Sequence, residues 1–371
     1  MQNHSEGKVT VLAGKELNAE LVSATGSVFG NPEFRNHEQI VHCFDADTGL
    51  QAIIAIHNTL LGPALGGTRM WAYSSAGEAL YDVLRLSRGM TYKNAVAGLD
   101  LGGGKAVIIG DSRTGKTPEL VRAFARYVDR LGGHYITAED VGISLADVEE
   151  MATETDHVRG TRAAGLGDPS PYTAFGVFSG VKATARAAFG SDDLKGLHVC
   201  VQGIGQVGMT LARYLHESGA KLTVADLNET ALAAAVSEFG AASVSPLDAH
   251  RVDCDIFAPC ALGAVLNEKS IPQIRARAIA GAANNQLYRA ADGVALKDRG
   301  ILYAPDYVIN AGGVISIADV QAASTPEAMY ERVSRIDTVL SGIFERAKAE
   351  STTPESIANA IAEERLAAAR S

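Results

Sequence analysis

Two lysines stand in surroundings that suit chemistry better than solvation. Lys93 and Lys105 lie in a stretch with two glycine clusters, GPALGGTRMW at 62–71 and RGMTYKNAVAGLDLGGGKAVIIGD at 88–111. Lys105 is placed between three glycines and the apolar run Ala-Val-Ile-Ile, so at least its stem is buried. Burial penalises an ammonium, and a second cation nearby adds to the penalty. A lysine tuned in this way can be neutral near physiological pH and act as a base. The alternative from residue type alone is a strand-edge lysine that extends its ammonium to water.

A second pattern belongs to phosphate chemistry. Gly203, Ile204, Gly205, Gln206, Val207 and Gly208 spell GxGxxG between the apolar run 197–201 and a helical pattern at 207–218. Alone such a string can be no more than a tight turn. In strand–turn–helix context the first glycine permits the turn, the second admits a pyrophosphate, and the third lets helix and strand pack closely. Phosphate oxygens then meet the unpaired N–H groups and positive dipole end of the helix. Asp226 ends the following strand, 23 residues after Gly203, where a carboxylate accepts ribose hydroxyls and repels a 2′-phosphate. The cofactor expected is NAD.

The elements that must hold these groups alternate between strand and helix. Strands are expected at 39–44 and 52–57, then a helix at 76–93 with Leu80, Val83, Leu84 and Leu86 on its apolar stripe and Arg85 and Arg88 off it. Gly102–Gly104 interrupts the chain before a strand at 106–109, and a helix at 119–131, a strand at 135–137 and a helix at 145–155 follow. The Gly- and Pro-rich stretch 160–171 reads as a hinge. Beyond a helix at 174–188 come strands at 197–201, 221–225, 255–258, 278–280 and 301–303, and the last 45 residues are helical. The fold class expected is α/β in two domains: a substrate domain over 1–160 plus about 345–371, and a doubly wound, Rossmann-type domain over 161–344. A deep cleft separates them.

The ordered strings GPALGGTRMW, MTYKNAVAGLDLGGGKAVIIGD (90–111), TAEDVG (137–142), GAANNQ (281–286) and YAPDYVINAGGVI (303–315) resemble the leucine/phenylalanine/valine branch of the amino-acid dehydrogenases. The resemblance runs from about residue 36 to the C-terminus and departs at Ser112, where the family usually has proline. It implies NAD-dependent, reversible oxidative deamination of an L-amino acid to a 2-oxo acid and ammonia. By the same resemblance Lys105 is the catalytic base, Asp140 exchanges protons with the substrate nitrogen, and Lys93 and Asn284 bind the carboxylate. Gly66 and Gly67 set backbone against the substrate's α-carbon end, and Thr173 and Asn310 lie beside the nicotinamide. Leu65, Ala138 and Val314 line a side-chain pocket whose aliphatic character favours Leu, Val or Ile, with phenylalanine next. The chemistry matches these types: a cation for the carboxylate, a base for the attacking water, and a proton carrier for nitrogen. Taken alone, Asp140 also suits a helix N-cap before Leu145, and Asn284 and Asn310 suit turns.

Composition bounds the rest. The 371 residues carry 33 basic and 43 acidic side chains, a formal net charge of −10, with 47 % apolar residues. An acidic chain with no basic block does not suggest nucleic acid or an anionic membrane as partner. No apolar run reaches the ~18–20 residues of a membrane span. The N-terminus lacks the pattern of a secretory signal, which favours the cytoplasm. Four cysteines without CxxC spacing and nine histidines without an HxxxH pair indicate neither a disulfide framework nor a metal. A homo-oligomer is implied by the resemblance. Two readings compete: a catalytically silent NAD-binding sensor, and a hydroxy-acid dehydrogenase that works through histidine and ignores ammonia.

Overall fold

A computed structural model describes residues 28–162, 168–318 and 325–370, with the backbone of two short strands at 11–12 and 15–16. Most of the N-terminal extension and the middle of the expected hinge (163–167) lie outside the described residues.

The first lobe is built on a mixed sheet. Strands β1 (Gln39–Asp45), β2 (Leu50–Asn58), β3 (Ala64–Leu65), β4 (Thr68–Trp71), β5 (Gly102–Ile109) and β6 (Tyr135–Ile136) are joined in the order β1-β2-β5-β3-β6, with β4 also pairing β5. The pairs β1–β2 and β2–β5 are antiparallel; β3 and β4 run parallel to β5, as β6 does to β3. Both faces are covered, which explains continuous apolar runs in place of alternation. Ile54, Ile56 and Ile108 pack on one side with Phe124 and Val128 of helix α2 (Pro118–Asp129). Ile53, Ala55 and Val107 pack on the other with Leu80, Val83 and Leu84 of α1 (Ala76–Val96). Ser75 caps α1 by accepting from the Glu78 N–H, and Lys93 lies in its last turn.

The three glycines before Lys105 do not interrupt the chain. They begin β5, in register with Asn58, Ile56, Ala64 and Leu65. Bare backbone is required there because α1 crosses directly above Gly103 and the end of β2 closes on Gly102. A Cβ on Gly103 would lie 2.0 Å from the Thr91 N, and one on Gly102 2.0 Å from the Asn58 carbonyl oxygen. Lys105 therefore sits mid-strand opposite Ala55, inside the sheet rather than at its edge.

After α3 (Leu145–Met151) and α4 (Ser170–Phe189), the second lobe is a parallel sheet. Its strands are β7 (His198–Gln202), β8 (Lys221–Ala225), β9 (Ala242–Ser243), β10 (Ile256–Pro259), β11 (Ala278–Ile279) and β12 (Leu302–Tyr303), in the order β9-β8-β7-β10-β11-β12. The order reverses between β7 and β10, the crevice where a doubly wound sheet receives a ligand. Helices α5 (Gln206–Glu217) and α6 (Glu229–Phe239) follow β7 and β8; α7 (Ala290–Asp298), α8 (Asp306–Ile309) and α9 (Gly312–Ala318) complete the lobe. Helix α10 (Pro326–Ala349) packs on α4, and the last helix, α11 (Pro354–Ala368), crosses to α1. There Arg365 donates to the Ala95 carbonyl at 2.9 Å and to Asp100 at 2.8 Å.

Candidate active site

The lysine in the middle of β5 is paired. Lys105 Nζ lies 3.0 Å from Asp140 Oδ2, with 7 % of the lysine side chain exposed. Arg69, on β4, brings its Nε to 3.0 Å from the same oxygen. Burial alone would push the Asp140 carboxyl up, but Lys105 and Arg69 outweigh it and hold it below the usual carboxylate range. Burial lowers Lys105, Arg69 lowers it further, and Asp140 opposes both. The N-cap alternative for Asp140 is excluded, because Ser144 caps α3 in a capping box with Asp147.

Across the cleft, Lys93 Nζ donates to Asn310 Oδ1 at 2.7 Å, and Asn310 Nδ2 donates to Asn284 Oδ1 at 2.8 Å. Both asparagines are thus tied to the second lysine rather than merely occupying turns. Burial pulls the Lys93 amine down to about 8, with Asp306 opposing and the charge of Lys105 adding.

These groups face a cavity of about 550 Å³ between the lobes. Leu65, Gly66, Gly67, Lys93, Lys105, Ala138 and Asp140 line it from the first lobe; Thr173, Val207, Asn284, Asn310 and Val314 line it from the second. Leu65, Ala138 and Val314 are all buried. Met90 and Ile317 extend the same apolar wall, and Glu139 adds a carboxylate to it. Gly66 and Gly67 have a reason for being glycine inside the protein itself. A Cβ at Gly66 would stand 1.9 Å from the Gly104 carbonyl oxygen, and one at Gly67 2.3 Å from that of Glu139.

At the switch point the three loop glycines divide by cause. Gly203 has φ +100° and its Cβ would come within 2.7 Å of the Ala261 N; that of Gly208 would be 1.9 Å from the Gly203 oxygen. A Cβ on Gly205 would meet no protein atom within 4 Å. Gly205 is also the N-cap of α5 and supplies no side-chain hydrogen bond to its first turn, formed by Gln206, Val207 and Gly208. Open space in front of uncapped helix amides fits a pyrophosphate. Asp226 is at the end of β8, and its Oδ2 accepts from the Ile204 N–H at 2.5 Å, which braces the loop.

Sequence reasoning missed Arg69, Asp82, Arg85 and Tyr73. Arg69 and Arg85 both bond Asp82, at 2.9 and 3.0 Å, and the Tyr73 hydroxyl donates to it at 2.9 Å. Asp82 and Arg85 are three residues apart on α1 beside its apolar stripe, a spacing that was available as a signal. Leu86, assigned to that stripe, lies instead in the cleft wall.

Comparison with known proteins adds an independent line. Residues 37–157 match a family model described as Glu/Leu/Phe/Val dehydrogenase, dimerisation domain, and residues 224–371 match one described as Glutamate/Leucine/Phenylalanine/Valine dehydrogenase. Leucine dehydrogenase of Geobacillus stearothermophilus is 52 % identical over 341 residues, covering 91 % of this chain and 93 % of the relative. Phenylalanine dehydrogenase of Bacillus thermotolerans is 47 % identical over 339 residues, covering 90 % and 89 %. The crystal structure of L-tryptophan dehydrogenase from Nostoc punctiforme superposes with a TM-score of 0.79 at 43 % identity, covering 91 % of this chain and 97 % of that one.

Proposed function

The chain belongs to the Glu/Leu/Phe/Val dehydrogenase family and is an amino-acid dehydrogenase; on that premise we propose that it deaminates a branched-chain L-amino acid (Leu, Val or Ile) reversibly with NAD. The observation that carries this reading is the convergence of Lys93, Lys105 and Asp140 on one cavity that opens toward the glycine loop. Gly203–Gly208 and Asp226 would hold the dinucleotide, with Thr173 and Asn310 near its nicotinamide. What bound NAD supplies is the acceptor for the α-hydrogen as hydride.

The protein's own groups do the rest. Lys93, steadied by Asn310, holds the α-carboxylate together with Asn284. Asp140, which the permanently charged Arg69 keeps ionised when Lys105 is neutral, takes a proton from the α-ammonium, since hydride leaves only from the neutral amine. On the resulting iminium, unprotonated Lys105 takes a proton from water as the oxygen adds to the α-carbon. Asp140 then returns its proton to nitrogen and takes the proton of the new hydroxyl as the C=O bond forms and the C–N bond breaks, releasing ammonia and the 2-oxo acid.

The substrate class follows from the walls. Leu65, Met90, Ala138, Val314 and Ile317 offer only apolar surface, and Glu139 repels a second carboxylate, which disfavours glutamate. The two arginines in the wall are already engaged by Asp82 and Asp140. Similarity to leucine dehydrogenases at 50–52 % identity supports the same choice. We also take the assembly to be a homo-oligomer, on the match to a dimerisation domain, and the compartment to be the cytoplasm, on four free cysteines. No helix among the described residues is long and apolar enough to cross a membrane.

The test is NADH formation at alkaline pH with L-leucine, L-valine, L-isoleucine, L-phenylalanine and L-glutamate, compared by kcat/KM, and ammonia dependence in reverse. An aliphatic substrate in first place supports the reading. Phenylalanine in first place overturns the pocket argument, and ammonia-independent reduction of 2-oxo acids overturns the mechanism.

A further inference from the structure

An unbroken series of side-chain bonds leads from the catalytic pair to the opposite lobe. Lys105 meets Asp140 at 3.0 Å, Asp140 meets Arg69 at 3.0 Å, and Arg69 meets Asp82 at 2.9 Å. Asp82 meets Arg85 Nη2 at 3.0 Å, and Arg85 Nη1 donates to Asn285 Oδ1 at 2.9 Å. Charges alternate along it, and it is withdrawn from water: the Asp82 side chain is 2 % exposed, those of Arg69 and Arg85 13 %. The last bond crosses the cleft. Arg85 is on α1 of the first lobe, while Asn285 follows β11 in the second, directly after Asn284. Asn285 has φ +52°, the left-handed region that asparagine and glycine tolerate best. The planar fork of an arginine is suited to this double duty, with one nitrogen for each lobe.

We propose that Arg85 and Asn285 form a latch between the lobes, and that Asp82 and Arg69 tie this latch to the Asp140–Lys105 pair, so that closing the cleft and readying the pair are coupled. Arg85 is on this view a positioning residue, and the inference rests on the dehydrogenase reading above. The charged groups facing Lys105 are Asp140, Arg69 on β4, and Asp82 and Lys93 on α1. Asp82 favours the protonated amine, and Arg85 offsets part of its charge. Without Arg85, Lys105 gives up its proton at higher pH, and activity that needs the neutral amine begins at higher pH.

The experiment uses the full chain as wild type, Arg85→Gln, Arg85→Lys, Asn285→Gly and the Arg85→Gln/Asn285→Gly double variant, with NAD titration calorimetry as a check of folding. Glycine keeps the left-handed backbone and deletes only the acceptor. Asn285→Gly loses about tenfold in kcat/KM for L-leucine, as expected for one hydrogen bond to a charged group, and Arg85→Gln loses at least as much, because it also removes the bond to Asp82. The double variant is no worse than Arg85→Gln, because the bond that Asn285→Gly removes is already lost there. The acid limb of the kcat/KM profile moves to higher pH in Arg85→Gln and in the double variant but not in Asn285→Gly, and Arg85→Lys restores the limb without restoring the rate. Single effects that multiply in the double variant overturn the latch, and an Arg85→Gln limb superimposed on the wild type overturns its tie to Lys105. Absence of wild-type turnover overturns the dehydrogenase reading instead.

Discussion

Replacing Gly205 and Gly208 in turn by alanine separates what the glycine loop does for the fold from what it does for a ligand. At Gly205 the backbone is extended, with φ −77° and ψ −164°, which alanine adopts freely, and the new methyl meets no protein atom within 4 Å. Removing glycine's freedom in the unfolded chain stabilises by about 0.4–1 kcal/mol. For a domain of this size that raises Tm by about 1–4 °C. The same methyl occupies the space before the α5 amides. An anion held at such a helix end is worth up to about 2 kcal/mol, so its displacement weakens NAD binding by about 30-fold. At Gly208 the methyl would stand 1.9 Å from the Gly203 oxygen, a backbone atom that cannot rotate away. Overpacking of this kind costs about 2 kcal/mol, or about 4–8 °C in Tm, and moves Gly203 as well. Thermal denaturation with and without NAD, together with calorimetric titration, reads both quantities. Expected are a Gly205→Ala protein at least as stable as wild type that binds NAD poorly, and a Gly208→Ala protein that loses both. A Gly205→Ala variant binding NAD as tightly as wild type would refute the assignment of that space to the pyrophosphate. Equal losses of Tm in the two variants would refute the packing account.

Three further outcomes follow from other parts of the molecule. Lys105→Ala lowers kcat by orders of magnitude and leaves the NAD dissociation constant within about twofold, because Lys105 faces the cavity from β5, in the other lobe from the glycine loop; a near-normal kcat removes it from the role of base. Val314→Ala widens the apolar wall and raises kcat/KM for L-phenylalanine relative to L-leucine by about 10- to 100-fold, the range for a methylene or two in such a pocket; an unchanged ratio removes Val314 from the side-chain pocket. His57 is buried, bonded to Thr91 Oγ1 at 2.8 Å and the Arg35 carbonyl at 3.0 Å, and pushed down to about 3 by burial and then by His37. The unfolded chain takes up that proton near pH 6.5 while the folded chain does not. Stability is therefore lost as pH falls from 6.5 toward 3, at about 1.4 kcal/mol per pH unit from this group. Urea denaturation at pH 7 and pH 5 should show a drop about 2 kcal/mol smaller in His57→Asn than in wild type, and equal drops would exclude His57 as the source.

What could be read from the chain and what could not divide along a physical line. The strand–GxGxxG–helix unit was legible because its residues act within a single local turn, and Asp226 because a strand–helix–strand unit of ordinary length carries the end of the next strand back beside that turn. The apolar neighbours of Lys105 made a buried stem legible but left open an ammonium extended to water at a strand edge, which its place opposite Ala55 in mid-sheet removes. The strands Ala64–Leu65 and Thr68–Trp71 were not legible, since two and four residues hold no period. Gly102–Gly104 was misread as a break, because glycine weakens a strand unless another backbone presses against it, and although the helix before them was legible, its crossing over Gly103 was not.

The arginines pose the deeper case. A hydrophobic stripe marks the face of α1 that meets the sheet, and Arg85, lying off it, reads as solvated. The face is buried all the same, because the second lobe and the charges on β4 cover it. A helix between two lobes has two buried faces, and only one is obliged to be apolar. The other can remain charged, provided each charge finds an opposite one, as Asp82 does between Arg69 and Arg85. Periodicity detects burial against apolar surface and is silent about burial against charge. In a two-lobed enzyme the residues that couple the lobes fall in the second class, so they are the ones a stripe-based reading passes over, and paired opposite charges at helical spacing beside a catalytic segment are the signal to search for.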